Sequence, residues 1–117
     1  MHKYKSPLTL LILLHSAAAL ALPEMTITIR DHLFYPAEVI VPAGKKVKLI
    51  FINQDDTPEE IDSFELNREK VIFGNAQANV FIGPLEEGQY TFFGEYHPAS
   101  AVGKVIAVSP ETFDNAH

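Results

Sequence analysis

The sequence predicts an all-β domain, an antiparallel β-sandwich of about seven or eight short strands. Three observations carry this. Apolar residues after residue 21 alternate with polar ones or form short β-branched runs, and no sustained helical period follows. Glycine, proline, asparagine and aspartate interrupt these runs at regular intervals. The chain has 117 residues, the length of one domain.

Each element has its own signal. Thr26-Ile27-Thr28-Ile29-Arg30 alternates as a half-buried strand does, and Asp31-His32 breaks it. His32 reads first as a turn residue, with metal contact as the second reading. Leu33-Phe34-Tyr35-Pro36 leads into a strand at Glu38-Val39-Ile40-Val41, and Pro42-Ala43-Gly44 is a turn. Residues 47–52 are β-branched and aromatic, as a strand prefers, and the polar run 53–58 stops them. Residues 59–66 form the next strand, with a bulge or bend because Ile61 and Phe64 cannot share one face of a regular strand. Residues 66–70 suit a helical turn; Val71-Ile72-Phe73 and residues 79–82 are two further strands around Gly74-Asn75-Ala76. Residues 89–93 and 103–108 are the last strands, parted by a polar loop holding His97, and residues 112–117 read as a frayed tail. The expected core is Ile27, Ile29, Val39, Val41, Val47, Leu49, Phe51, Phe81, Tyr90, Phe92, Val105 and Val108.

The N-terminus has the layout of a secretory signal peptide over residues 1–21. Lys3 and Lys5 precede an apolar run at residues 8–14, and Ala19-Leu20-Ala21 places small residues where a signal peptidase reads them. The run is shorter than the roughly 20 residues of a membrane span. The expected mature domain is residues 22–117, exported to the periplasm, with no stable membrane insertion. Without Lys3 and Lys5, seven basic residues face fifteen acidic ones, a net charge of −8. That argues against nucleic acid and anionic membrane as partners and favours cations or a basic protein. There is no cysteine, so neither a disulfide nor a thiolate is available.

The stretch GQYTFFGEYHPASAVGKVIAV, residues 88–108, resembles the C-terminal ligand loop of cupredoxins, with Tyr90, Phe92, His97, Gly103, Val105 and Val108 in place. Phe34, Pro36, Val41, Gly44, Val47 and Asn53 fit an earlier part of the same pattern. The resemblance covers residues 25–108 and implies a Greek-key, cupredoxin-like sandwich. It also marks four ligand positions. His97 keeps its histidine, and Glu59 stands where the first copper histidine would be. Gly94 stands at the cysteine position, and Val102 about where the methionine would be. Thiolate-based blue-copper chemistry is thereby excluded. The wording TPEEIDSFELNREK with FFGEYHP resembles that of small periplasmic cupredoxin-like proteins related to the N-terminal domain of the iron-uptake component EfeO. Glu60 and Asp62 match a carboxylate pair of that domain.

The candidate metal ligands are therefore Glu59, Glu60, Asp62, Glu95 and His97. Carboxylate oxygen and one imidazole suit iron, manganese or zinc better than cuprous ion, although cupric ion competes well at any such site. The resemblance implies iron first and copper second, with a membrane iron permease or other periplasmic iron-uptake proteins as partners. Accessory oxidation of ferrous iron is implied too, though no electron acceptor is visible in the residues. Two other readings stay open: a sulfur-free copper chaperone or sensor, and a metal-free acidic adaptor. The strand period also leaves two arrangements. If Ile61 faces the core, Glu59 can converge with Glu95 and His97, while Glu60 and Asp62 lie on the opposite face; a one-residue shift exchanges these roles.

Overall fold

The computed structural model describes residues 21–116; the signal-peptide reading thus lies almost wholly outside the described residues. Nine strands and one short helix follow in order: β1 Glu24–Arg30, β2 Leu33–Tyr35, β3 Glu38–Pro42, β4 Val47–Asn53, β5 Glu59–Ser63, β6 Arg68–Ile72, β7 Gln77–Ile82, β8 Gly88–Gly94, β9 Val102–Val108 and α1 Pro110–Ala116. A four-stranded sheet has the order β2-β1-β4-β7 and a five-stranded sheet the order β3-β9-β8-β5-β6. The architecture is the expected two-sheet sandwich. Most neighbours are antiparallel, but β1 runs parallel to β4 and β3 parallel to β9. No helix among the described residues is long and apolar enough to cross a membrane.

The core sits between the sheets and follows the period-2 pattern of the strands. Ile27, Ile29, Leu49, Phe51, Val80 and Ile82 point inward from the four-stranded sheet. Val39, Val41, Ile61, Ile72, Phe92, Val105 and Ala107 meet them from the other. Phe92 is the centre of an aromatic cluster, with ring centroids 5.0 Å from Phe34 and 5.8 Å from Phe51. A Cβ on Gly103 would overlap the Phe92 ring, so the glycine at that position makes space for the aromatic.

Five expectations change. Residues 68–70 belong to strand β6, paired with β5, and not to a helical turn, and Phe73 lies beyond that strand. Phe81 is 40% exposed, because register places Val80 opposite Leu49 and Ile82 opposite Val47, both facing inward. The Phe81 ring lies on the outer surface with Lys46 Nζ 5.0 Å from its centroid. Tyr90 and Val108 are only half-buried. Strand β5 ends at Ser63, so Phe64 belongs to the following turn and no bulge is required. Finally, residues 110–116 are a helix and not a frayed tail. Ser109 caps it, its Oγ accepting from Thr112 N at 3.1 Å, and Pro110 opens it where no amide donor is needed.

Candidate metal centre

Three loops meet at one pole of the sandwich. The first is the two-residue turn Asp31-His32 between β1 and β2. Both residues take positive φ, 54° and 60°, as the tight hairpin turn demands. Such backbone is strained for residues other than glycine and persists where its surroundings hold it. Here Asp55 does so. Its Oδ1 accepts from Asp31 N at 2.7 Å, and its Oδ2 accepts from His32 N at 3.0 Å and lies 3.4 Å from His32 Nδ1. Burial pushes the Asp55 carboxyl up, but the His32 and Asp31 amides and the nearby His32 and His97 rings outweigh it. The group titrates below its ordinary value of 3.8.

Asp55 is itself held by Asn53, a fully buried amide at the end of β4. Asn53 Oδ1 accepts from Asp55 N at 3.0 Å, and Nδ2 donates to Thr57 O and Ile72 O at 2.9 and 3.2 Å. All of its polar atoms are engaged, as burial requires. The second loop, residues 54–58, is thereby fixed as it leads into β5.

Ile61 faces the core, so Glu59, two residues earlier, faces inward too and is 2% exposed. A buried carboxylate needs hydrogen-bond donors. Oε1 accepts from the amides of Glu60 and Tyr96 at 3.0 and 2.9 Å, and Oε2 lies 2.8 Å from His97 Nδ1. His97 sits on the third loop, between β8 and β9, closed by bonds from His97 N to Gly94 O and from Ala101 N to His97 O. Its ring stacks on His32, centroids 3.5 Å apart and planes within 10°. Ser100 Oγ donates to His32 O at 3.1 Å and ties this loop to the first.

His32, Glu59 and His97 each present a ligand atom, all within 4.8 Å of one another. The other expected residues lie elsewhere. Glu60 and Asp62 occupy the outer face of β5, and Asp62 pairs directly with Glu69 of β6. Glu95 is exposed, with its amide bonded to Glu60 O at 2.8 Å, and its charge acts on Glu60. It therefore joins the outer cluster and not His97. Crowding is strong there. A hydrogen bond from the protonated Glu60 to Glu69, then loss of solvent and the charges of Glu69, Asp62 and Glu95, raise the Glu60 carboxyl from 4.5 to about 7.

Two positions of the ligand loop differ from expectation. Val102 points outward, opposite Phe93, and is 46% exposed. The side chain facing the pole from this stretch is Ala101, fully buried. Gly94 also faces it: a Cβ there would lie 2.6 Å from Glu59 Cδ and Oε2 and 2.8 Å from Ala101 Cβ. The three converging donors are two imidazoles and the Glu59 carboxylate, with Asp55 behind His32 and two very small residues alongside. This donor set suits iron, zinc, manganese or cupric ion and does not suit a cuprous thiolate centre.

The family model of the cupredoxin-like domain matches residues 7–107. The chain belongs to the cupredoxin-like family. A curated relative, an uncharacterized protein of Rickettsia prowazekii (strain Madrid E), is 43% identical over 83 residues, 71% of this chain and 66% of the relative. This cupredoxin-like chain thus spans just under two thirds of that relative's length. Among solved structures it is similar to auracyanin A, a "blue" copper protein from Chloroflexus aurantiacus. The TM-score is 0.65 at 14% identity, over 75% of this chain and 100% of that one. The metal-binding domain of the Cu(I)-exporting P-type ATPase CopA of Streptococcus pneumoniae D39 gives 0.63 at 17% identity, over 74% and 85%. Amicyanin from Paracoccus versutus gives 0.59 at 20% identity, over 78% and 87%. At these identities the likeness to the solved structures establishes the cupredoxin fold.

Proposed function

We propose that this cupredoxin-like protein is exported to the periplasm and binds a divalent metal ion, iron first, through His32, Glu59 and His97, in support of uptake by an inner-membrane iron permease. One observation carries the reading: two imidazoles and a carboxylate, drawn from three separate loops, bring ligand atoms within 4.8 Å at one pole. Two histidines with one carboxylate are a donor set found in non-haem ferrous sites. The fixed His32 turn supports the reading, because the Asp55 carboxylate and the Ser100 hydroxyl hold it against the His97 loop. Glu60, Asp62 and Glu95 take a different role in it. With Glu69 they form an acidic face next to the pole that raises the local concentration of cations. The EfeO-like wording supports iron and the permease; the copper named for the structural relatives supports copper as the second candidate, and the sulfur-free donor set favours its cupric form. An anionic oxygen ligand would favour ferric over ferrous iron, so a ferrous ion held there would pass one electron to dissolved dioxygen, released as superoxide, as an accessory activity of the same site.

A second reading has its own support. Both Glu59 oxygens already have partners, Glu60 N, Tyr96 N and His97 Nδ1, so the pole is also stable as a metal-free lock. The protein would then act as an acidic adaptor for a basic partner.

Anaerobic calorimetry with ferrous, zinc and cupric ions separates the two. The metal reading expects one ion per chain, with affinity falling at least 100-fold in His97→Ala. Glu60→Ala with Asp62→Ala should cost only a few-fold, and less as salt is raised. Should no ion bind tighter than about 1 mM, roughly −4 kcal/mol, the adaptor reading stands.

A further inference from the structure

We propose that Gly94 is the residue that sets the ligand chemistry of this pole: its missing side chain is the space through which the Glu59 carboxylate reaches His97. Glycine is usually retained for backbone freedom or for room. Backbone freedom is not the reason here. The positive-φ glycines of the described chain are Gly44, Gly83 and Gly88, and Gly94 is an ordinary strand residue paired with Ile61. Room is the reason. A Cβ at position 94 would stand 2.6 Å from both Cδ and Oε2 of Glu59, well inside contact distance.

A glutamate could ordinarily swing away from such an intrusion. Glu59 cannot do so without loss, because it is buried and its oxygens accept from the Glu60 and Tyr96 amides and meet His97 Nδ1. Displacing the carboxylate strands those two amides and separates the pair that is 2.8 Å apart. Ala101 shares the role. Its Cβ lies 2.8 Å from the same point, so position 94 is closed from two sides. Gly94 is thus a positioning residue, and Glu59 and Gly94 form one unit: a side chain at 94 and a carboxylate from 59 exclude each other. The consequence for ligand choice follows. A substitution at 94 that adds a ligand atom removes the Glu59 ligand, so the pole does not gain a fourth donor by that route.

The inference rests on the metal reading only in its last measurement. The first test needs no metal. In Gly94→Ala, the amide resonances of Glu60 and Tyr96 should lose their hydrogen-bond shifts, together with the His97 ring nitrogens, while amides of β1 and β4 stay in place. A double-mutant cycle with Glu59→Ala isolates the contact, since the Ala101 clash is common to both arms. Gly94→Ala should lower the unfolding midpoint far more with Glu59 present than in the Glu59→Ala background. If Gly94→Ala alone fails to fold, Gly94→Ala with Ala101→Gly removes the second contact and leaves the Glu59 clash to be read. Additive midpoints, or unchanged Glu60 and Tyr96 amides, would overturn the inference. The last measurement is zinc binding, as a redox-inert probe, which should weaken at least 10-fold in Gly94→Ala. Zinc that binds neither form removes the metal reading while the spectral and stability results still decide the role of Gly94; zinc that binds both equally removes that role.

Discussion

At the scale of single residues, the pole depends on partners that are not themselves ligands. Asp55 is the clearest case. One carboxylate, 14% exposed, accepts from two strained amides and faces the His32 ring. Outer partners of this kind orient a ligand and typically carry 10- to 100-fold in metal affinity. Asp55→Ala leaves the positive-φ turn without its acceptors and frees the ring. We expect a stability loss of about 1–3 kcal/mol, the worth of hydrogen bonds to a charged, part-buried acceptor, and metal affinity about 10-fold lower or worse. Asp55→Asn keeps one oxygen acceptor and should fall between. Urea unfolding and calorimetry measure both; an Asp55→Ala protein that binds metal as tightly as the parent would show that His32 needs no such support, or is not a ligand.

At the scale of elements, the outer face of β5 and β6 carries a testable electrostatic load. The Glu60 carboxyl is raised from 4.5 to about 7 by its hydrogen bond with Glu69, by lost solvent and by the like charges around it. A raised carboxyl means that the folded chain holds a proton that the unfolded chain has already released. Stability therefore falls as pH rises from about 4.5 to about 7, the opposite of the trend from a salt-bridged carboxylate. Glu69→Gln removes the main cause, so the Glu60 midpoint, followed by carboxyl carbon NMR, should return toward 4.5 and the stability slope should flatten. A Glu60 midpoint already near 4.5 in the parent protein would mean that the two carboxyls do not share a proton.

The strands themselves are legible on different signals: β1 alternates cleanly and β4 is a β-branched and aromatic run, whereas β5 reads as irregular because it ends at Ser63, before Phe64. Where Val80, Phe81 and Ile82 stand in a row, alternation carries no information, and only pairing with β4 decides which side faces inward. Glu59 and His97 were legible from the loop pattern. His32 was not, because the β1–β2 turn reaches the pole through strand order, which no local spacing reveals. Asp31-His32 did carry one signal: both residue types tolerate positive φ, as a two-residue hairpin turn requires. Glu95 lies away from His97 for a related reason, since the chain turns after Gly94 and sets it beside Glu60. The signals of α1 were also present, Ser109 before Pro110 and Glu111, in a segment short enough to read as a tail.

At the scale of the whole molecule, the candidate centre joins the two layers of the sandwich. His32 belongs to the turn between β1 and β2 of the four-stranded sheet, whereas Glu59 and His97 belong to β5 and the β8–β9 loop of the five-stranded sheet. An ion held by all three would clamp one sheet to the other at the pole, where the present links are the imidazole stack, the Ser100–His32 hydrogen bond and the Asp55 contacts. Binding to the folded state alone stabilises by an amount set by mass action, about 2.7 kcal/mol when the ion is at 100 times its Kd. For a domain of this size that corresponds to a rise in Tm on the order of 10–20 °C. His32→Ala distinguishes a clamp from a site on one sheet. If His32 is a ligand, the increment at the same ion concentration should shrink sharply, because a weaker Kd reduces it directly. An increment that survives His32→Ala but disappears in His97→Ala would confine the ion to the five-stranded sheet and leave the two layers joined by packing alone.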